Sequence, residues 1–366
     1  MKKSNLILVC VMAVFFFGMT FLCWGKEVSD YSDSERRVLA GFPDLNEETV
    51  RSGKFMKEFE TYTLDQFPFR DNFRSIKALA QLGFFRQKAN NDIYVTDGYV
   101  SKIEYPLNEY MLQNAGKKFQ YLYDTYMADK DVKLYFSIVP DKNYYLAEEN
   151  GCLSMDYEQF FEAMLQETAY MQYIDISDLL TIQDYYKTDT HWKQERIQDV
   201  AARIAESMGN TLEWQYEEVI AEQPFYGVYY GQSALPLKPD TLTYLTNEKL
   251  ESCTITSYDT GMPAEKEIYE LKELDGKDPY EMFLAGSDAL LVIENSNATT
   301  DKELVVFRDS FASSLLPLLL ESYTKVTVID IRYINSGMLG NFVEFDNQDV
   351  LFLYSTLVLN SSTSFK

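Results

Sequence analysis

The sequence predicts an α/β protein in three layers, with a mostly parallel sheet held between two layers of helices. Two observations carry this reading. Val132-Lys133-Leu134-Tyr135-Phe136-Ser137-Ile138-Val139 is a continuous β-rich run that stops at Pro140, the pattern of a strand buried on both faces. Further apolar runs alternate with helical patterns along the chain, as they must where crossovers join parallel strands. The chain of 366 residues suffices for one large domain or two ordinary ones, and 46% apolar content with 15% aromatics supplies ample core.

Taken in order, residues 1–26 stand apart. Lys2 and Lys3 precede an uncharged run from Leu6 to Trp24, close to the length that crosses a bilayer as a helix. The run exits through Thr20-Phe21-Leu22-Cys23-Trp24, which puts bulky residues where a cleaved signal needs small ones. An uncleaved signal anchor is therefore expected. The leading lysines keep the N-terminus in the cytoplasm and leave everything after Lys26 outside. The protein is then a single-pass cell-membrane protein with an extracytoplasmic domain, or a secreted one if the signal is cleaved. Residues 27–45 are polar, end in Phe42-Pro43-Asp44 and read as a tether. The remainder, 46–366, is the α/β domain.

Within that domain, residues 46–90 are largely helical, with breaks at Gly53 and Pro68. Gly98 turns between two short aromatic strands. A helix is expected over 107–128, then the buried strand 132–139, a helix over 156–169, a short strand at 172–176 and a helix over 193–208. Towards the C-terminus come strands at 288–293, 303–307, 325–331 and 349–354, with a helix over 311–322. Residues 215–285, rich in Tyr, Thr and Pro, break the rhythm and read as a β-rich insertion.

The formal net charge of -24 repels phosphate backbones, so nucleic acid is a poor partner. Cys10 and Cys23 lie in the apolar run. Cys152 and Cys253 lie outside it, where a disulfide would survive, but spacing does not say whether they meet. With one histidine and no C-x-x-C there is no zinc spacing, and no metal or other cofactor is expected.

That one histidine, His191, sits in Asp189-Thr190-His191-Trp192. Serine acyl chemistry needs an imidazole that is basic near neutral pH, and Asp189, two residues earlier, can hold it in one tautomer. Ser310 follows the apolar strand Leu304-Val305-Val306-Phe307 and precedes a helix. Its N–H therefore lies at a helix N-terminus, where developing negative charge is stabilised. Each feature has a plainer alternative: Asp309 or Ser310 as a helix cap, and His191 as a core or surface residue.

Taken together, Val305-Val306-Phe307-Arg308-Asp309-Ser310-Phe311 resembles the Gly-Asp-Ser block of SGNH hydrolases. Tyr185-Tyr186-Lys187-Thr188-Asp189-Thr190-His191-Trp192 resembles the signature of the DHHW proteins, and it is also similar to the Asp-x-His-Trp segment of alginate O-acetyltransferases with SGNH-like domains. Phe67-Pro68-Phe69-Arg70-Asp71, Val139-Pro140-Asp141-Lys142 and Val328-Ile329-Asp330-Ile331-Arg332-Tyr333 look like further family segments, so the similarity spans roughly 35–356. In ordinary SGNH enzymes the serine block comes first. Here it comes last, so the resemblance implies a circularly permuted sheet.

The resemblance implies an extracytoplasmic, membrane-anchored serine enzyme that O-acetylates or de-esterifies a cell-surface or secreted polysaccharide. Ser310 would be its nucleophile, His191 its base and Asp189 the orienting carboxylate, with a membrane acyl-exporting protein as donor partner. The chain departs from the pattern in three ways. Arg308 replaces the glycine of the serine block, Thr190 stands where many DHHW proteins have a first histidine, and the usual Gly and Asn blocks are not recognisable. Oxyanion or substrate donors are then sought in the Ser310 N–H, Asn295, Arg332 and Tyr333. Lys142 would bind an anionic substrate or form a structural salt bridge. Arg308 favours a rival reading, a non-catalytic glycan-binding or polysaccharide-assembly protein on the same fold. The 28 tyrosines would suit a sugar-binding cleft or fill the core.

Overall fold

The computed structural model describes residues 3–366, so Lys2, one of the two lysines expected to orient the anchor, lies outside the described residues. The chain divides into two compact units. One comprises residues up to Asn91 together with Tyr230–Pro236, the other Asp92–Tyr229 and Leu237–Lys366.

In the first unit, Lys3–Gly25 is one apolar helix with no buried residue, long and apolar enough to cross a membrane. It is compatible with a signal anchor or a signal peptide. The segment expected to be a tether contains a small antiparallel hairpin, β1 (Tyr31–Ser32) and β2 (Arg37–Val38). Buried Asp65 holds it down by accepting from Arg37 Nη1 at 2.9 Å and from the Ala40 N–H at 2.9 Å. Three helices follow: Glu47–Arg51, Lys54–Asp65 and Arg70–Ala78. Asn46 starts the first by accepting from the Thr49 N–H. Gly53, at φ 76°, takes the left-handed turn between the first and second. The second stops before Pro68, and the third runs on into a π-helical turn, Leu79–Phe84.

The second unit opens with the hairpin β3 (Ile93–Thr96) and β4 (Tyr99–Lys102), turning at Gly98. Its main sheet uses β5 (Lys133–Val139) and β6 (Gln172–Tyr173). A separate antiparallel pair, β7 (Glu217–Phe225) and β8 (Asp240–Thr246), comes next. The sheet resumes with β9 (Thr254–Ser257), β10 (Ala264–Lys266), β11 (Leu290–Glu294), β12 (Glu303–Arg308), β13 (Lys325–Ile329) and β14 (Asp349–Ser355). The spatial order is β10-β9-β11-β13-β12-β14-β5-β6. From β13 to β6 all pairings are parallel, and at the other edge β10, β9 and β11 are antiparallel.

The period-2 alternation of strand side chains builds two cores from these strands. Leu304 and Val306 of β12, Val326 and Val328 of β13, and Leu351 and Leu353 of β14 face the helices Gln198–Ser207 and Ala312–Leu319. Val305, Phe307, Ile329, Val350 and Phe352 face the helices Glu109–Tyr126 and Tyr157–Glu167. The result is the expected three-layer α/β/α arrangement with a mostly parallel sheet.

Residues 215–285 are β-rich but are not set apart from the domain: β7 and β8 pair with each other, and their Phe225, Leu242 and Leu245 pack into the core. β9 and β10 extend the main sheet, and Tyr280 and Leu284 enter the core. The strand expected at 288–293 is present as β11 but runs against its neighbours. Only residues 295–302 connect it to β12, and a parallel crossover needs a dozen or more residues.

Candidate active site

Three parallel strands end side by side, and the turns beyond them are locked by buried carboxylates. After β12, the Asp309 Oδ1 accepts the Phe311 N–H at 3.0 Å. Its Oδ2 accepts the Ser355 N–H at 2.7 Å and the Ser355 hydroxyl at 2.6 Å, tying the end of β12 to the end of β14. After β5, buried Asp141 accepts from the Tyr157 hydroxyl at 2.7 Å and the Thr356 hydroxyl at 2.6 Å. Burial pushes the Asp141 carboxyl up, and these hydrogen bonds oppose the push.

Ser310 is displayed on the turn that Asp309 braces. Its Oγ lies 2.7 Å from His191 Nε2, and His191 Nδ1 lies 2.6 Å from Asp189 Oδ1. An ionised carboxylate only accepts, so Nδ1 carries the proton and Nε2 is left to accept from the Ser310 hydroxyl. The structure thus brings the three sequence-selected residues into one hydrogen-bonded chain. Asp189 is further fixed by accepting the His191 N–H at 3.0 Å on Oδ1 and the Val228 N–H at 2.8 Å on Oδ2. Both Asp189 and His191 are buried, while Ser310 is partly exposed.

The loop carrying Asp189 and His191 is irregular, so its backbone groups need partners from elsewhere. Asp240 accepts the Lys187 and Thr188 N–H groups at 2.8 and 2.7 Å and the Thr188 hydroxyl at 2.6 Å. Lys142 supplies the opposite charge. Its Nζ donates to the carbonyls of Tyr186, Lys187 and Asp189 at 2.8, 3.0 and 2.9 Å. Both readings offered for Lys142 are therefore corrected. Lys142 is 2% exposed and its three ammonium protons are engaged by backbone, so it is not presented to solvent, and it forms no salt bridge among the described residues. Burial pushes its pKa down to about 7, with Asp189 and Asp240 pulling it up. Gly227 completes the packing, because a Cβ there would sit 2.3 Å from Asp189 Cβ.

The imidazole is also held by its faces. Tyr280 stacks on His191 with ring centroids 3.8 Å apart and planes 4° from parallel, and Phe311 leans on it at 4.9 Å. The Tyr280 hydroxyl pairs with Ser314 Oγ at 2.8 Å. Trp192 Nε1 donates to Ser314 Oγ and to the Phe311 carbonyl, both at 3.0 Å, so the residue after the histidine is bolted to the helix after the serine. Tyr280, Asp240 and Gly227 were not legible as site residues in the sequence. All three lie in the region read as an insertion, and only the fold carries them to the histidine.

The remaining sequence candidates fare differently. The Ser310 N–H has no hydrogen-bond partner among the described residues, which suits an oxyanion donor. Asn295 is corrected. Because β11 is antiparallel, its end lies beside Thr324, at the starts of the parallel strands and away from Ser310, and its amide donates to the Leu320 carbonyl at 2.8 Å. Arg332 and Tyr333 follow β13, one strand over from Ser310. Arg332 is paired to Asp330 at 2.6 Å and stacks over the Tyr333 ring, which is 49% exposed. Arg308 does not crowd the serine. Its fully buried guanidinium donates to Ser313 Oγ and to the Gly286 carbonyl, both at 2.9 Å. No disulfide joins Cys152 and Cys253, and no group of three or more potential metal ligands occurs among the described residues.

No protein-family profile matches the chain, and no curated protein does. Solved structures do. A DHHW family protein from Eubacterium siraeum DSM 15702 superposes with a TM-score of 0.60 at 19% identity, covering 75% of this chain and 94% of that one. Bacillus cereus PatB1 gives a TM-score of 0.58 at 20% identity, covering 74% of this chain and 97% of that one. PatB1 has also been solved with a sulfonyl adduct, and that structure superposes with a TM-score of 0.57. The chain accordingly has the α/β fold of a DHHW family protein and of PatB1, as its sequence motifs imply.

Proposed function

We propose that the protein is an extracytoplasmic serine acyl-transfer enzyme, an O-acetyltransferase or acetylesterase acting on a polysaccharide. The observation that carries this is the unbroken Ser310–His191–Asp189 chain of 2.7 and 2.6 Å contacts. The geometry supports a definite sequence of steps. His191 Nε2 removes the Ser310 proton as Oγ attacks an acetyl carbonyl, and Asp189 stabilises the imidazolium. The oxyanion accepts from the Ser310 N–H. His191 returns the proton to the leaving oxygen, leaving acetyl-Ser310. It then activates a sugar hydroxyl or a water, whose attack releases the acetyl group and restores the serine. The two outcomes differ only in which nucleophile arrives. The sequence resemblance favours the sugar hydroxyl, with the Lys3–Gly25 helix as anchor and a membrane acyl-exporting protein as donor.

The non-catalytic alternative rested on a bulky charge at Arg308. That charge is held inside the fold by Ser313 and the Gly286 carbonyl. The test is acetyl release from an activated acetyl ester, with and without oligosaccharide acceptors. Wild-type protein should turn over and pass acetyl to an acceptor. Ser310→Ala should keep the wild-type melting temperature and lose turnover. Full turnover by Ser310→Ala would overturn the mechanism.

A further inference from the structure

The helix Arg70–Ala78 and the π-turn Leu79–Phe84 present apolar side chains outward. Phe69, Ile76, Leu79, Phe84 and Phe85 are each more than half exposed, at 60%, 62%, 51%, 81% and 63%. Phe73, Ile76 and Ala80 are spaced three and four residues apart, which places them on one helical face. The opposite side is the packed one: Ala78 is fully buried, and Arg74 donates to the Gly231 carbonyl at 2.9 Å. A surface helix of a water-soluble unit normally shows the reverse arrangement.

Two further observations identify what covers this face. The first is charge. Between Phe69 and Lys88 there are five basic residues and one acidic residue, Asp71, in a chain whose net charge is -24. Arg70 and Arg74 are paired with Glu35; Lys77, which donates to Asn91 Oδ1 at 2.9 Å, Arg86 and Lys88 lie on the exposed surface. The second is position. Gln66, just before the helix, is hydrogen-bonded to the residues that leave the apolar Lys3–Gly25 helix. Its side chain accepts the Ser29 N–H at 3.0 Å and donates to the Ser29 carbonyl at 2.8 Å, and its carbonyl accepts from Lys26 Nζ at 3.4 Å. The exposed face therefore begins where the membrane-length helix ends. Aromatic residues flanked by basic ones are what the headgroup region of a bilayer accommodates.

We propose that residues 69–85 form an interfacial helix lying on the surface of the same membrane that the Lys3–Gly25 helix spans, with Phe84 and Phe85 inserted among anionic lipid headgroups. The inference rests on the reading of Lys3–Gly25 as a membrane span. It makes the first unit a collar with two membrane contacts, one spanning and one in the plane, and this limits how freely the unit tilts at the bilayer.

The test uses the full chain reconstituted in vesicles of phosphatidylcholine and phosphatidylglycerol, with and without brominated acyl chains. Emission from a Phe84→Trp variant, taken as the difference from wild type, reports the helix. Emission lost in Trp24→Phe reports the span. The expected result is blue-shifted Trp emission at position 84, quenched by bromine about as strongly as that of Trp24, and weaker quenching when phosphatidylglycerol is omitted. Quenching of Trp24 without quenching at position 84 keeps the span and overturns the interfacial helix. Absence of quenching at both positions overturns the span and the inference with it. Unquenched, blue-shifted emission at position 84 that grows with protein concentration would identify a second copy of the chain as the occupant, which also overturns the proposal.

Discussion

Lys142 shows how one buried residue can hold the loop that carries Asp189 and His191. As an ammonium it has three donors for three carbonyls, and as an amine it has two. Because burial lowers its pKa to about 7, the clamp loses one bond as pH rises through that value. Activity of the wild type should fall on this alkaline limb. Lys142→Met should be slower at all pH, by about 10²-fold given how steeply rate depends on placement, and should lack the limb. A matching limb in the variant would assign it to another group. Stability moves the other way. The unfolded lysine keeps its proton to about pH 10.5, so between 7 and 10.5 the unfolded state binds more protons and wild-type stability rises with pH relative to Lys142→Met. His191, Asp189 and Ser310 were legible because each is a chemically distinctive residue beside an element boundary. Lys142 was visible as a charge after a strand, but its partners are carbonyls, which sequence does not display. Tyr280 was one tyrosine among 28, and its stacking on His191 exists only in the fold.

At the scale of elements, the apolar runs of β5, β12, β13 and β14 announced themselves because both faces of a central parallel strand must be apolar. Edge elements were less legible. β9 and β10 have polar, partly exposed patterns, and their membership of the sheet depends on pairing with β11. Strand direction was the weakest inference, and it is why Asn295 was sought at the wrong end. The connection between β7 and β8 has a strict local requirement at Gly227. Gly227→Ala would drive a methyl group into Asp189, so it should cost about 1–3 kcal/mol in stability. It should also lower kcat more than it raises KM, because Asp189 acts through His191. Thermal denaturation and steady-state kinetics check both halves. Unchanged kcat would mean that the loop accommodates the methyl group without moving the carboxylate. The turn after β12 depends likewise on Asp309. Asp309→Ala strands the buried Ser355 N–H and hydroxyl and should destabilise by about 1–3 kcal/mol, measured by denaturant melts.

For the whole molecule, the net charge of -24 sets how the proposed polysaccharide acceptor would approach. A polyanionic glycan approaches against that field, and salt screens the repulsion. KM for a polyuronate acceptor should therefore fall as ionic strength rises, while KM for a neutral glycan stays flat. Identical salt responses would show that the long-range field does not select the acceptor. The overall architecture was legible because the alternation of strands and helices is a property of the whole chain. The division into two units was not, since it depends on residues 230–236 packing with a segment far away in sequence. The central claim nevertheless concerns one atom, Ser310 Oγ. The direct measurement is intact and peptide-level mass spectrometry of the protein after brief exposure to an activated acetyl ester, beside Ser310→Ala and His191→Ala. The account predicts one added acetyl group on the peptide containing Ser310, absent from Ser310→Ala and strongly slowed in His191→Ala. An equal acetyl gain in Ser310→Ala, or an adduct mapped to another residue, would contradict it.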